Sequence, residues 1–219
     1  MKRKSILLLI VIFILLFSSY LFNRHNKYEI VQTLAEVTVG EVTRDVSIEQ
    51  TFIADKNNLS AIEILFGTYN RINNSNLVIQ LIDDKGDLLV NKEIQTSSLK
   101  DNQFKEFPFP RIGKSKGREY SILIGSENGF ENNAITVWAS LSDSYSGGEL
   151  LVNGEIVEGD IAFKTTYSSS EFDTLKEMAD KVPINKDTLI FILVGVIICS
   201  IMLMYKSMDS ISNMKGNKY

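Results

Sequence analysis

Few residues in this sequence have the type and spacing that catalysis requires. His25 is the only histidine and lies just beyond an uncharged apolar run, while Cys199, the only cysteine, lies inside a second run. Ser-His-Asp and Cys-His mechanisms, and zinc sites built on histidine, need a side chain positioned inside a folded domain. We therefore expect none of these chemistries, no disulfide, and an interfacial position for His25.

Carboxylates offer another route to catalysis, because glycoside hydrolysis needs only two of them. Four acids lie close together in the sequence, namely Glu149, Glu155, Glu158 and Asp160. No spacing argument brings two of them to within about 5–10 Å of each other across a pocket. We expect solvated loop acids and no enzyme, and a carboxylate-dependent glycan-active enzyme is the less favoured alternative.

Aromatic side chains are the candidate ligand-binding residues. A ring presents an apolar face to the C–H face of a sugar, and neighbouring polar groups fix its hydroxyls. The four candidates are Tyr69, Phe130, Trp138 and Tyr145. Trp138 falls on the opposite strand face from Val137 and Ala139, which predicts a partly exposed ring. A core or structural role is the competing interpretation for each of them.

The elements that would position these residues are predicted to be short strands. Apolar residues alternate with polar ones at period two in about nine or ten runs, and glycine-rich and polar clusters separate the runs. Leu77–Leu81 and Leu88–Ile94 flank the turn 83–87, where three aspartates read as hairpin residues rather than calcium ligands. Phe-Pro-Phe-Pro at 107–110 predicts an edge or crossing strand. The pattern favours an all-β, antiparallel sandwich.

An uncharged apolar run stands at each end of the chain. Residues 6–22 and 188–205 contain 17 and 18 residues without a charge, about the length of a bilayer-spanning helix. Lysine and arginine lie between each run and the nearer chain end, at positions 2–4 and at 206, 215 and 218, which favours cytoplasmic termini. We predict two transmembrane helices in the cell membrane with an extracytoplasmic domain between them. A cleaved signal peptide at 6–22 is the alternative.

The resulting organisation has six parts. They are a cytoplasmic N-terminus (1–5), a first membrane helix (6–22), a β-sandwich (23–168), a juxtamembrane helix and linker (169–187), a second membrane helix (188–205) and a cytoplasmic tail (206–219). In the 169–187 segment, Ser170 and Asp173 resemble a capping box, and the helical spacing of apolar residues runs to Val182, just before Pro183.

The domain between the runs is acidic. The whole chain carries −4, so removing +3 for the N-terminal flank and +2 for the C-terminal tail leaves −9 for residues 23–187. That charge disfavours nucleic acid and anionic headgroups as partners.

One stretch resembles a known type of domain. Ala134–Tyr167 (AITVWASLSDSYSGGELLVNGEIVEGDIAFKTTY) is similar to the last strands of jelly-roll, galactose-binding-like sandwiches in bacterial envelope and polysaccharide-related membrane proteins. The resemblance implies a carbohydrate-module-like fold. Similar sandwiches often hold a structural calcium, for which Asp160 is the first candidate ligand, and we expect no other cofactor.

Two functions follow as hypotheses. The first is a non-enzymatic, membrane-anchored accessory protein, whose sandwich binds a partner membrane protein or a glycan in bacterial cell-envelope or surface polysaccharide assembly. The second is a stand-alone carbohydrate-binding surface module. The sequence leaves the partner, the glycan and the oligomeric state open.

Overall fold

The computed structural model describes residues 3–181 and 186–216, which contain three α-helices, twelve strands and one 3₁₀ turn. In chain order they are α1 (Arg3–Phe22), β1 (Arg24–Gln32), β2 (Val37–Glu41), β3 (Ile48–Ile53), β4 (Leu59–Gly67), β5 (Asn76–Asp83), β6 (Leu88–Gln95), a 3₁₀ turn (Thr96–Ser98), β7 (Gln103–Ile112), β8 (Glu119–Ser126), β9 (Thr136–Ala139), β10 (Leu150–Val152), β11 (Glu155–Val157), β12 (Phe163–Ser170), α2 (Glu171–Lys181) and α3 (Lys186–Gly216). These residues divide into two compact units. One is the sandwich unit, 26–168, and the other, the helical unit, combines 1–25 with 169–219.

The sandwich unit is built from two six-stranded sheets. Sheet A has the order β1-β12-β4-β9-β2, with β7 also paired to β4, and sheet B has the order β11-β10-β3-β8-β5-β6. The pairs with a defined register are antiparallel. The structure thus confirms the predicted all-β, antiparallel sandwich.

The core lies between the two sheets and follows the period-two pattern. Leu77, Ile79 and Leu81 of β5 are each at most 1% exposed, because alternate side chains of a strand point to the same face. Aromatic rings join the sheets, since Phe52 of sheet B lies 5.7 Å from Phe163 of sheet A between ring centroids. This packing holds the domain together without a disulfide.

The β5–β6 hairpin has the predicted turn. Gly86 adopts a left-handed φ of +85°, and the Asp83 carboxylate accepts hydrogen bonds from the Lys85 and Asp87 amides, both at 3.0 Å. Arg118 binds the carboxylates of Asp83 and Asp84 together. Arg118 therefore pairs with two of the three aspartates that could have offered ligands to calcium.

Two strands differ from the sequence prediction. β1 was not expected, because its residues show no apolar alternation; it forms beside β12, where Val31 packs against the core. β11 lies in the segment 153–159, which reads as a turn, and it pairs with β10 across Asn153 and Gly154, both in left-handed conformation. β7 pairs with β4 alone among the described strands, so the prolines lie on an edge strand as predicted.

In the helical unit, α2 begins with the predicted capping box. The Ser170 hydroxyl accepts the Asp173 amide at 3.1 Å, and the Asp173 carboxylate accepts the Ser170 amide at 3.0 Å. The same carboxylate pairs with Arg24 at 3.2 Å, and the rings of Phe22 and Phe172 lie 5.1 Å apart. The start of α2 is therefore fixed to the end of α1.

The flanking segments are helical, but their membrane-spanning character is not supported by the structure. Over residues 3–181 and 186–216, no helix meets the combined requirement of length and apolar character for a bilayer span. α3 also runs past residue 205 to Gly216, because no proline interrupts it. The predicted helix end at Val182 and Pro183, and the flanking residues Lys2 and Lys218, lie outside the described residues.

Candidate functional site

Asp160, the candidate calcium ligand, is a buried residue that is 1% exposed. One carboxylate oxygen accepts the side-chain amide of Gln50 at 3.1 Å, and the other accepts the backbone amides of Ser144 and Tyr145 at 2.8 and 2.9 Å. Both oxygens are thus bonded to protein donors. Over the described residues, no group of three or more His, Cys, Asp or Glu side chains is arranged to hold a metal ion.

The Asp160 bonds belong to a polar network that crosses the sandwich. Gln50 on β3 also accepts the Ile161 amide at 2.9 Å, and Gln32 on β1 donates to the Asp160 carbonyl at 3.0 Å. Both glutamines are buried, and they lie in different sheets. Buried polar groups that satisfy one another in this way fix the geometry of a core. Asp160 therefore joins the two sheets to the loop 140–149.

Tyr145 closes the same loop against the sandwich. Its hydroxyl accepts the Ile53 amide at 3.0 Å, and its ring meets Phe163 edge-on with centroids 5.7 Å apart. Burial raises the pKa of the Tyr145 phenol, against the opposing effect of the Ile53 hydrogen bond. These contacts give Tyr145 a structural role at the far end of β3 from the 42–47 loop.

Trp138 lies on the outer face of sheet A, because its neighbours Val137 and Ala139 point into the core. The half-buried ring donates its Nε1–H to the Asn102 side-chain oxygen at 2.7 Å. Gly67 makes room for it, since a Cβ there would lie 3.1 Å from Nε1 and 2.9 Å from the Thr136 methyl group. A half-buried aromatic ring beside a polar side chain is a combination that a sugar subsite also has.

Tyr69 and Phe130 lie on two loops that meet at one end of the sandwich. Tyr69, in the loop 68–75, has a left-handed φ of +57°, and the Arg71 guanidinium stands 4.8 Å above its ring. Phe130, in the loop 127–135, is 61% exposed. Ile72 between them in chain order is 81% exposed, and no pattern in the sequence marks it because it follows no strand or helix period. We call Tyr69, Ile72 and Phe130 the apical surface.

The two loops are tied to each other by polar contacts. Arg71 donates to the Ala134 carbonyl at 3.0 Å, and the Asn74 amide donates to the Asn133 side chain at 2.8 Å. The Glu41 carboxylate binds Arg71 and also accepts the Asn132 amide at 2.9 Å. These bonds hold the exposed apolar side chains on a defined support rather than on independent loops.

A cleft of about 500 Å³ opens beside Phe130. It lies between the loops 42–47 and 127–135, which are joined by a 2.9 Å hydrogen bond from the Arg44 amide to the Gly129 carbonyl. Its lining residues are Thr43, Arg44, Asp45, Glu127, Asn128, Gly129, Phe130 and Glu131. The structure thus brings Tyr69 and Phe130 to one end, and it keeps Tyr145 and Asp160 apart from them.

The four acids considered for glycoside hydrolysis do not share one environment. Glu149, Glu155 and Glu158 are exposed on or beside the β10–β11 hairpin, whereas Asp160 is buried with both oxygens bonded. A general acid and a nucleophile must both face the substrate. This arrangement offers Asp160 no route to a substrate.

No protein family and no curated protein matches the chain. Among solved structures, the chain is similar to infectious bursal disease virus, Gx strain, at 10% identity and a TM-score of 0.30, over 68% of this chain and 32% of that chain. It is similar to the VP2 subviral particle of that virus at 15% identity and a TM-score of 0.22, over 67% and 38% of the chains. The flagellar cap protein FliD of Escherichia coli, D1-D2-D3 domains, gives 12% identity and a TM-score of 0.18, over 97% and 73%. The chain thus spans about a third of the length of these viral proteins, and at such TM-scores the likenesses carry no argument.

Proposed function

We propose that this protein is a non-enzymatic, membrane-anchored accessory protein whose sandwich binds a partner protein through the apical surface. The observation that carries this proposal is the exposure of Tyr69, Ile72 and Phe130 on two loops that are hydrogen-bonded together. Loops held on a rigid sandwich are common sites of recognition, and exposed apolar patches mark interaction surfaces. Ordered aromatic side chains also lose little entropy on binding.

The membrane anchor is the second part of the proposal. α1 and α3 expose apolar side chains such as Leu15, Leu16 and Phe191, at 63%, 66% and 83%. A helix that is apolar on every side is normally covered by lipid or by other protein. We assign the cover to lipid, with both termini cytoplasmic and the sandwich extracytoplasmic, because of the uncharged runs 6–22 and 188–205 and their basic flanks. Bacterial cell-envelope or surface polysaccharide assembly is the proposed setting, on the resemblance of 134–167 alone.

Extraction of membranes with alkaline carbonate tests the anchor. We expect the full chain to stay in the membrane pellet, and a second chain with Leu15 and Phe191 both changed to Asp to move to the supernatant. Release of the unaltered chain by carbonate would overturn the anchoring proposal and leave the binding proposal to its own test.

Site-specific photo-crosslinking in intact cells tests the apical surface. A photoreactive phenylalanine at position 130 or 72 is compared with the same residue at 156, which is 66% exposed on β11 and serves as the matched control. We expect one discrete adduct from positions 130 and 72, absent at 156, and weakened when Tyr69→Ser is added. Equal adducts at all three positions, or none at any of them, would contradict docking at this end.

Glycan binding is the second candidate, and Trp138 favours it. Its half-buried ring lies on the outer face of sheet A, beside the polar side chain of Asn102, where a sugar could stack on it. Binding of the full chain to a glycan array, lost in Trp138→Ala and retained in Phe130→Ala, would move the function to sheet A. Glycan binding that is lost in Phe130→Ala and retained in Trp138→Ala would instead place the binding site at the apical surface.

A further inference from the structure

We propose that the cleft beside Phe130 receives an arginine or lysine side chain of the partner protein, stacked on the Phe130 ring and flanked by Glu127 and Glu131. This inference rests on the proposed function, because it names the chemistry of the partner that the apical surface would bind. It makes the partner segment basic as well as apolar, since Tyr69 and Ile72 lie on the loop that is hydrogen-bonded to the Phe130 loop.

Phe130 provides the first reason. Its ring is 61% exposed, and none of the ring contacts found among the described aromatic side chains involves it. A cation within about 6 Å of an aromatic face is attracted by the ring quadrupole, by about 0.5–1 kcal/mol at an exposed site. The same fold already uses this contact elsewhere, because Arg71 covers Tyr69 and Lys164 lies 3.9 Å from the centre of Phe104. Phe130 is thus open to a cation from outside.

The charges around the ring provide the second reason. The cleft contains three carboxylates, Asp45, Glu127 and Glu131, and one cation, Arg44. Arg44 lies 3.9 Å from Asp45, and no ion pair is formed by Glu127 or Glu131 within residues 3–181 and 186–216. An incoming cation would therefore meet two carboxylates that form no ion pair of their own, in a segment, residues 23–187, of net charge −9.

The support of the loop provides the third reason, since it fixes the cleft before binding. The Ser126 hydroxyl accepts the Gly129 amide at 2.9 Å and donates to the Asn76 carbonyl at 2.8 Å, and the Asn128 side chain accepts the Asn76 amide at 2.7 Å. A Cβ at Gly129 would lie 2.7 Å from the Val42 carbonyl oxygen, so only glycine fits there. A preformed cleft loses less free energy on binding than a loop that must first become ordered.

The experiment is a titration of the full chain in detergent micelles with two peptides of equal length, acetyl-Phe-Arg-Arg-Arg-amide and acetyl-Phe-Glu-Glu-Glu-amide. We expect saturable binding of the arginine peptide and none of the glutamate peptide. The double variant E127Q/E131Q is expected to weaken binding about tenfold, and Phe130→Leu, which keeps an apolar side chain without a π face, about threefold. The matched control E155Q/E158Q removes two exposed carboxylates from the β10–β11 hairpin and should change affinity less than twofold.

Three results would overturn the inference. They are equal weakening by the two charge-removing variants, which would mean general attraction to an acidic domain; displacement of the peptide by micromolar calcium, which would make the cleft a cation site; and absence of binding. Circular dichroism of each variant confirms that the sandwich is intact. A crosslinked partner at position 130 combined with no peptide binding keeps the proposed function and rejects the basic partner, so the two failures are distinguishable.

Discussion

Glu41 on β2 forms an ion pair with Arg71 in the loop 68–75, and its carboxylate also accepts the amide of Asn132 at 2.9 Å in the loop 127–135. The two side chains are 20% and 29% exposed, so the pair is partly shielded from water. One carboxylate thus connects the two loops that carry the apical surface.

Replacement of Glu41 is expected to loosen both loops. Glu41→Ala removes the ion-pair partner of Arg71 and the acceptor of the Asn132 amide, and it should lower the free energy of unfolding by about 1–3 kcal/mol. Glu41→Gln keeps an acceptor oxygen and should lose about half as much. Hydrogen exchange followed by mass spectrometry should show faster exchange at 68–75 and 127–135 in the Ala variant.

The matched control for Glu41 is Glu155→Ala, which removes an exposed strand glutamate from β11. It should leave exchange in both apical loops unchanged. Unaltered exchange in Glu41→Ala would show that the other bonds between the loops suffice without the carboxylate.

Asp160 is expected to stabilise the protein without calcium. Asp160→Ala removes the acceptor of the Gln50, Ser144 and Tyr145 donors in the interior and should lower the free energy of unfolding by about 2–4 kcal/mol. The unfolding temperature of the unaltered protein should be the same in EDTA as in millimolar calcium chloride. A rise of several degrees with calcium that is lost in Asp160→Ala would mean that the carboxylate is also a metal ligand.

The sandwich could be predicted because its strands obey the period-two rule locally. β5 shows this well, since Leu77, Ile79 and Leu81 face the core and the turn after them has a glycine where the backbone needs one. β1 could not be predicted, because its sequence Arg-His-Asn-Lys-Tyr-Glu-Ile-Val-Gln has no apolar alternation and its strand conformation comes from pairing with β12. A strand that forms only through tertiary pairing shows no pattern in its own sequence.

The candidate site was less predictable, for a different physical reason. Exposure and partners decide what an aromatic side chain can do, and neither is visible in the sequence. Tyr145 has the same residue type as Tyr69, yet its hydroxyl binds the Ile53 backbone and its ring packs on Phe163. Nothing in the sequence marks Glu41 as the carboxylate that connects the two loops, although the glycine before it, Gly40, adopts a φ of +105° where the register of β2 shifts.

Tyr145→Phe is expected to have a small, pH-dependent effect on stability. Loss of the bond to Ile53 should lower the free energy of unfolding by about 1 kcal/mol at neutral pH. Because burial raises the folded-state pKa of this phenol, its contribution is fully present below the unfolded pKa of about 10 and falls as pH rises through the folded pKa. Urea unfolding between pH 8 and 11 should therefore show that the free energy of unfolding falls less with rising pH in Tyr145→Phe than in the unaltered protein.

The matched control for Tyr145 is Tyr28→Phe, at a phenol that is 58% exposed on β1. Its alkaline profile should follow that of the unaltered protein. Identical profiles for all three chains would contradict a buried, stabilising Tyr145 hydroxyl.

Asp83 is expected to make stability depend on pH in the acid range. Partial burial alone would raise the pKa of its carboxyl, but hydrogen bonds from the Asp87 and Lys85 amides and the Arg118 guanidinium together hold the pKa below its usual value. A carboxyl with a lowered folded-state pKa stabilises the fold above its unfolded pKa of about 3.9, and that contribution disappears as pH falls through the folded value. Urea unfolding of Asp83→Asn should show the variant less stable than the unaltered protein above about pH 5, with the difference shrinking towards about pH 2.

Asp87→Asn removes the same formal charge from the same turn but leaves the backbone amide that binds Asp83, so its difference from the unaltered protein should be smaller. A deficit in Asp83→Asn that stays constant from about pH 7 to about pH 2 would mean that the residue acts through the shape of the turn and not through its charge.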